Sequence, residues 1–140
     1  YESLSDGGFE TGTMMGSGGF IVFDEDQCVV RHTMTLAHFY NHESCGQCSP
    51  CREGTGWMYK ILKNIEYGKG KMSDIDLLWD IQRKIEGNTI CPLGDAAAWP
   101  VAAAIRHFRD EFEWHVTHPE EAQQRNFGLA HYADAREVLV

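Results

Sequence analysis

The stretch that decides the fold is Glu43–Gly54, which reads ESCGQCSPCREG. Its three cysteines follow one another at intervals of three residues, and Cys91 stands farther along the chain, directly before Pro92. Thiolates at i, i+3 and i+6 in one tight loop can reach three corners of an iron–sulfur cubane, which then needs a fourth thiolate from elsewhere. The pattern predicts a [4Fe–4S] cluster with four cysteine ligands: Cys45, Cys48, Cys51 and Cys91.

Two other uses of these cysteines stay open. Zinc commonly takes two C-x2-C pairs or mixed Cys and His ligands, and His42 and His107 are available for such a site. A catalytic or redox dithiol would need a thioredoxin-like strand and helix around C-x2-C, and that pattern is missing here. The fifth cysteine, Cys28, stands beside Val29 and Val30 on the first predicted helix, so we expect it to be a small buried hydrophobe.

Helical periodicity flanks the cysteine motif on both sides. Four helices are predicted, over residues 25–42, 50–67, 73–87 and 95–114. Ser73 suits the N-cap of the third helix, Gly87 suits its end, and Pro100 predicts a bend in the fourth. Three tryptophans are expected in the core: Trp57, Trp79 and Trp99.

These helices predict a mainly α fold, a four-helix bundle that carries an iron–sulfur cluster. In an up-down-up-down bundle with short connections, the first and third loops lie at the same end. The first loop holds the three clustered cysteines, and the third holds Cys91. The topology is therefore expected to bring the distant fourth cysteine to the other three.

The two ends of the chain have a different character from its middle. Residues 1–26 are rich in glycine and end in the apolar run Phe20–Phe23, which predicts a short strand from a preceding β-rich domain. The glycines of residues 16–19 precede that strand, whereas a nucleotide-binding loop would follow one, so they fit turns better. The predicted division is therefore 1–26 for the end of that domain, 27–115 for the helical cluster-binding domain and 116–140 for a polar tail.

Composition and charge exclude several classes of function. The 140 residues carry a formal net charge of −9, and no basic stripe exists that could neutralise nucleic-acid phosphates. No apolar run approaches the roughly 20 residues that span a bilayer. The chain begins at Tyr1 without a methionine, and we expect it to be the C-terminal part of a longer polypeptide.

Charged residues flank the motif. Arg52 is the cation nearest to the predicted cluster in sequence and is expected to favour its reduced state. Glu43, Glu53 and His42 are expected to be solvated or capping residues rather than proton relays.

The cysteine motif resembles that of the NADH-binding flavoprotein subunits of respiratory complex I. The resemblance rests on Glu43–Gly54, on the run 91–97 (CPLGDAA) and on Trp99-Pro100, and it extends over roughly residues 14–112. Diaphorase subunits of NAD-linked hydrogenases and formate dehydrogenases share these features. The glycines of residues 16–19 and the strand after them resemble the end of that family's ubiquitin-like domain.

The resemblance implies an electron-transfer role. In that family NADH reduces FMN, and the flavin passes single electrons through this cluster to a neighbouring iron–sulfur subunit. The FMN and NADH sites would lie in an N-terminal portion that this chain lacks, so the chain alone is not expected to be an NADH dehydrogenase. The implied partners are other peripheral-arm subunits, at the cytoplasmic or mitochondrial-matrix face of the membrane and attached to it only indirectly. A structural zinc or iron–sulfur module that organises a subunit interface is the alternative.

Overall fold

The computed structural model describes residues 21–24 and 26–125, and these form a mainly helical structure without a β-strand. The five helices are α1 (Val29–Glu43), α2 (Ser49–Glu66), α3 (Met72–Ile85), α4 (Leu93–Thr117) and α5 (Pro119–Arg125). The mainly α class predicted from the sequence is therefore correct. Most of the predicted β-rich segment and residues 126–140 of the tail lie outside the described residues.

The first four helices pack in a ring around one core. α1 and α3 each contact both α2 and α4, α2 and α4 touch across the middle, and α5 packs on α4 and α2. The largest buried apolar side chains come from all four helices: Val30, Met58, Leu62, Ile65, Ile75, Leu78, Ile85, Val101 and Phe112. Full burial of one such side chain contributes about 1.5–3 kcal/mol, so this core fixes where the helix ends and their loops lie.

Two short loops meet at one end of this core. Residues 44–48 connect α1 to α2, and residues 86–92 connect α3 to α4. The backbone N–H of Ile90 in the second loop lies 3.4 Å from the Sγ atom of Cys48 in the first. The structure thus brings the two cysteine-bearing loops together, as the alternating direction of the helices predicts.

The start of α3 differs from the prediction. Lys71, rather than Ser73, is the N-cap, and Ser73 lies inside the first turn. The Asp74 carboxylate accepts a hydrogen bond of 2.8 Å from the Lys71 backbone N–H. A carboxylate in the first turn satisfies an otherwise unpaired N–H and also favours the positive end of the helix dipole. Asp74 therefore stabilises the helix start in place of a serine cap.

The structure shows a break in the regular geometry of α4 at Phe108, two turns beyond Pro100. α4 is continuous through Pro100, and the one residue with non-helical dihedral angles is Phe108, at φ −134° and ψ 31°. The proline ring fixes φ near −65°, which is itself a helical value, although it removes one backbone hydrogen bond and crowds the carbonyl four residues earlier. The chain can therefore stay helical at Pro100 and depart from helical geometry two turns later.

Two of the three tryptophans are not core residues. Trp57 and Trp99 are exposed, at 53% and 40%, although their chain neighbours Met58 and Ala98 are fully buried. Trp57 and Trp99 therefore lie on the solvent-facing sides of α2 and α4. Trp79 is half-buried and packs against the core.

The structure describes residues 21–23 of the predicted strand Phe20–Phe23, and these residues do not form a strand. Residues 21–23 have no regular secondary structure, and Ile21, Val22 and Phe23 are exposed. A single strand cannot satisfy its own backbone groups, and no partner strand lies among the described residues. Further along, α5 gives part of the predicted tail a helical structure, with Ala122 buried.

No helix within the described residues has both the length and the apolar character needed to cross a membrane.

Close packing of α2 on α3 depends on Gly54. A Cβ atom at this residue would lie 2.7 Å from Cδ1 and 2.8 Å from Cγ1 of the buried Ile85. We expect Gly54→Ala to lower the melting temperature of the iron-loaded protein, because overpacking costs about 1–3 kcal/mol and exceeds the helix propensity gained. In an Ile85→Ala background, where both clashing atoms are gone, the same substitution should be neutral or stabilising. Equal destabilisation in both backgrounds would contradict this account.

Candidate metal centre

The four predicted ligands lie at the starts of two helices. Cys45 is in the first loop, Cys48 is the N-cap of α2 and Cys51 is in its first turn. Cys91 directly precedes Pro92, the N-cap of α4. None of them forms a disulfide with another described cysteine; Cys51 is buried, Cys48 is half-buried, and Cys45 and Cys91 are exposed. The site therefore has a buried side against the core and an open side toward solvent.

The first loop turns back on itself at Gly46. Its φ of +77° lies in the left-handed region, where a side chain would be strained. The Arg52 guanidinium donates a 2.8 Å hydrogen bond to the Gly46 carbonyl, and the same side chain forms a 2.9 Å ion pair with Glu53. Arg52 thus holds the tip of the loop against the first turn of α2, which fixes where Cys45 and Cys48 lie.

Two hydrogen-bond donors reach the cysteine sulfurs. Ser44 Oγ lies 3.2 Å from Cys51 Sγ, and it also accepts a 3.3 Å hydrogen bond from the Gly46 backbone N–H. Either atom can donate in the Ser44–Cys51 contact while Cys51 is a thiol, but a thiolate only accepts, so the hydroxyl donates once Cys51 binds a metal. The Ile90 N–H provides the second donor, to Cys48. Donors of this kind stabilise a thiolate and the negative charge of a metal centre bound to it.

The second loop is held in place by the start of α4. The Asp95 carboxylate accepts a 2.7 Å hydrogen bond from the backbone N–H of Gly87, and the Thr89 hydroxyl donates to the Cys91 carbonyl at 3.0 Å. Gly94 allows this approach, because a Cβ atom there would meet the Thr89 side chain at 2.4 Å. The loop is consequently fixed on both sides of Ile90 and Cys91.

Two helix N-termini face this group of cysteines. α2 begins at Ser49 and α4 begins at Leu93, so the unpaired N–H groups of both first turns lie beside the thiols. The positive ends of the two helix dipoles favour negative charge there. This arrangement suits a centre built from four thiolates, which remains anionic in every redox state.

The donor set suits an iron–sulfur cluster. In a cubane each of four thiolates binds a different iron. The two loops supply four cysteines, and the backbone N–H of Ile90 joins the second loop to Cys48 of the first. Four sulfur donors on two loops that meet therefore suit a [4Fe–4S] group.

The histidines that kept the zinc interpretation open do not group with the sulfurs. His42 is exposed and pairs with Glu43 at 3.0 Å, as expected for a surface residue. His107 is exposed on α4 and lines an apolar cleft between α1 and α4. Among the described residues, neither histidine belongs to a group of metal-binding side chains with the cysteines.

Cys28 is buried as predicted, but its environment is polar. It is the N-cap of α1, and its Sγ atom lies 3.2 Å from His115 Nε2 and 3.7 Å from Glu66 Oε2. Burial, and then the nearby Glu66 carboxylate, raise the pKa of the Cys28 thiol to about 12. Sequence reasoning missed this grouping, because its members are separated by up to 87 residues and no local pattern links them.

Residues 31–115 match the family model of the NADH-ubiquinone oxidoreductase-F iron-sulfur binding region. The chain belongs to this family. The match includes all four predicted ligands, and the predicted [4Fe–4S] cofactor and the predicted family are both confirmed.

Several relatives carry the same name, that of the F subunit of NADH-quinone oxidoreductase. The relative from Rickettsia typhi is 47% identical over 119 residues, which is 85% of this chain and 26% of the relative. The one from Rickettsia massiliae is 52% identical over 73% of the chain and 24% of the relative. A copy numbered 1 from Rhizobium meliloti is 47% identical over 77% of the chain and 25% of the relative. The chain thus spans about a quarter of the length of these relatives.

A solved structure has the same fold. The crystal structure of an NAD+-reducing [NiFe]-hydrogenase in the H2-reduced state matches 68% of this chain and 16% of its own chain, with a TM-score of 0.64 and 34% identity. The helical fold of this chain therefore also occurs in a hydrogenase, in agreement with the resemblance to hydrogenase diaphorase subunits.

Ser44 offers a direct test of the hydrogen bonds at this centre. We expect Ser44→Ala to lower the midpoint potential by tens of millivolts, because a net hydrogen bond of about 1 kcal/mol corresponds to about 40 mV for one electron. The measurement is a redox titration followed by EPR. Ser49→Ala is the matched control, since the Ser49 hydroxyl faces the Arg52 guanidinium at 3.5 Å rather than a sulfur. Equal potentials in the two variants would rule out a role for Ser44.

Proposed function

We propose that this chain carries single electrons through one [4Fe–4S] cluster, within a larger complex that oxidises NADH. The ligands in this proposal are the four cysteines of the two loops: Cys45, Cys48, Cys51 and Cys91. The observation that carries it is the meeting of these loops at the N-termini of α2 and α4, where Ile90 of one loop donates to Cys48 of the other.

The residues of the chain would hold and stabilise charge at this centre. A bound [4Fe–4S] cluster supplies one-electron redox chemistry, with two negative charges when oxidised and three when reduced. Ser44 and the Ile90 N–H donate to two of the thiolates, and the two helix N-termini add partial positive charge. Because these groups are already fixed by the fold, little rearrangement is needed when the charge changes.

The open side of the site is where electrons would enter or leave. Cys45 and Cys91 are exposed there, and the neighbouring Ile90 is 87% exposed. A large apolar side chain this exposed beside a redox centre fits a surface that another protein covers. We infer that a neighbouring iron–sulfur subunit of the complex accepts the electron at this surface.

The rest of the electron path would lie outside this chain. The relatives from NADH-quinone oxidoreductases are about four times as long, so their additional length can contain the FMN and NADH sites. Electrons would pass from NADH to FMN and then to the cluster of this chain. The partners are then other subunits of the peripheral arm, on the cytoplasmic or matrix side of the membrane, with membrane association through the complex alone.

Reversible reduction of the metal centre would distinguish an electron-transfer cluster from a structural metal site. The test is low-temperature EPR on anaerobically purified protein, before and after dithionite. A relay should contain about four irons per chain and show a fast-relaxing spin-one-half signal only after reduction. Four irons without a reducible signal would leave a structural iron–sulfur module, and zinc at the four cysteines would overturn the cluster assignment.

Arg52 should tune the potential of this centre. At about 7 Å and an effective dielectric of about 20, one positive charge is worth about 2 kcal/mol, or at most about 100 mV. The ion pair with Glu53 and the exposure of both side chains reduce this effect. We therefore expect Arg52→Met to lower the midpoint potential by tens of millivolts, and Arg52→Lys, which keeps the charge, to lower it less. A change within ~10 mV in Arg52→Met would contradict this expectation.

A further inference from the structure

A second group of metal-binding side chains lies at the opposite end of α1 from the cysteine loops. It comprises Cys28, Glu66, Glu111 and His115, here called the Cys28 cluster. Cys28, Glu66 and His115 are exposed by only 5%, 2% and 1%, and Glu111 is half-buried. α1 has 15 residues and is therefore about 22 Å long, which separates this cluster from the iron–sulfur loops.

Three of these side chains have the geometry of a metal site. Ligand atoms of Cys28, Glu111 and His115 all lie within 4.8 Å of one another. The distance from Cys28 Sγ to His115 Nε2 is 3.2 Å. A tetrahedral zinc ion with bonds of about 2.3 Å to sulfur and about 2.0–2.2 Å to nitrogen or oxygen sets its ligand atoms about 3.3–3.6 Å apart. Cys28 Sγ and His115 Nε2 are thus already close to the separation that a zinc ion requires, and Glu111 lies within reach of both.

The backbone already holds the Glu111 carboxylate in place. One of its oxygens, Oε1, accepts a 2.9 Å hydrogen bond from the backbone N–H of Val29, the residue that follows Cys28. This bond joins α4 to the first turn of α1, where an N–H has no partner within the helix. A carboxylate has lone pairs on both oxygens, so Glu111 can keep this bond and still bind a metal ion.

Glu66, the fourth member of the cluster, lies where its carboxylate could orient the His115 ring. Glu66 Oε2 lies 3.9 Å from His115 Nδ1, the ring nitrogen that does not face Cys28, and 3.7 Å from Cys28 Sγ. Arg31 holds the other oxygen of Glu66 at 3.4 Å. Metal-bound histidines almost always donate their second ring N–H to such a group, which orients the imidazole.

Charge balance supports a divalent cation at this place. The cluster contains two carboxylates, Glu66 and Glu111, and Arg31 forms an ion pair with the first of them. A zinc ion would displace the proton of the Cys28 thiol. The thiolate and two carboxylates would then carry three negative charges, which the ion and Arg31 would neutralise. Buried charges are stable only when they are paired in this way or bind a metal.

We propose that Cys28, Glu111 and His115 bind one zinc ion, that a water molecule fills its fourth position, and that Glu66 orients His115. The site would join the N-cap of α1 to the C-terminal half of α4, and through Glu66 to the end of α2. Sulfur, imidazole and carboxylate together are the ligands that zinc prefers among divalent ions. Glu111 is the least buried of the three, so it marks the side from which the ion enters. A buried hydrogen-bonded network without metal is the competing interpretation.

The test counts zinc and iron in the same iron-loaded protein. The protein is equilibrated with buffered micromolar zinc, freed of excess metal by gel filtration and analysed by mass spectrometry. We expect about one zinc per chain in addition to about four irons. An unchanged iron content shows that the zinc has not replaced the cluster. Zinc should also raise the melting temperature, because the assembled site binds it more tightly than the unfolded chain does.

Matched variants decide where the zinc binds. Glu111→Gln should weaken zinc binding by about tenfold or more and abolish the rise in melting temperature, while iron content stays the same. Glu113→Gln is the control, because Glu113 lies on the same helix and pairs with Arg109 outside the cluster. Cys28→Ser should lose the zinc as well. The proposal would be overturned if the unaltered protein retained no zinc. It would also be overturned if Glu111→Gln and Cys28→Ser retained as much zinc as the unaltered protein.

Discussion

The hydrogen bond from the Ile90 N–H to Cys48 Sγ joins two loops that are 42 residues apart, and the arrangement of the metal centre depends on this meeting. It requires α2 and α4 to start at the same end of the core. Once they do, two sets of unpaired backbone N–H groups and two helix dipoles converge on the cysteines. The site thus gains its electrostatic character from the backbone, and Ser44 and Arg52 adjust it.

Close helix packing keeps these loops in register with the core. Gly54 lets α3 approach α2 so closely that the Ile85 side chain occupies the space where a Cβ atom would lie. Gly94 likewise leaves room for the Thr89 side chain against the start of α4. Both glycines cost helix propensity, about 1 kcal/mol each relative to alanine. Their cost is offset by contacts that fix the two loops, so the redox centre would be supported by the rigid core rather than by flexible loops.

The two ends of α1 have different chemistry. At its C-terminal end the cysteines are partly exposed and close to a surface that suits a partner protein, which matches the needs of electron transfer. At its N-terminal end three of the four side chains of the Cys28 cluster are almost completely buried, and a zinc ion there would connect α1, α2 and α4. We infer that the C-terminal end of α1 lies where electrons pass to other proteins, and that its N-terminal end stabilises the packing of the four helices.

The sequence by itself determined the family, the cofactor and the mainly α class, and it predicted the four ligands, because cysteine spacing and helical periodicity are local patterns. It also predicted that the two loops meet, since alternating helix directions leave few other arrangements. Only the tertiary structure decided which tryptophans face solvent, that α4 departs from helical geometry at Phe108, and that Asp74 replaces a serine cap. It alone assembled the Cys28 cluster, because Cys28, Glu66 and His115 meet through the packing of three helices, and no spacing along the chain records such a contact.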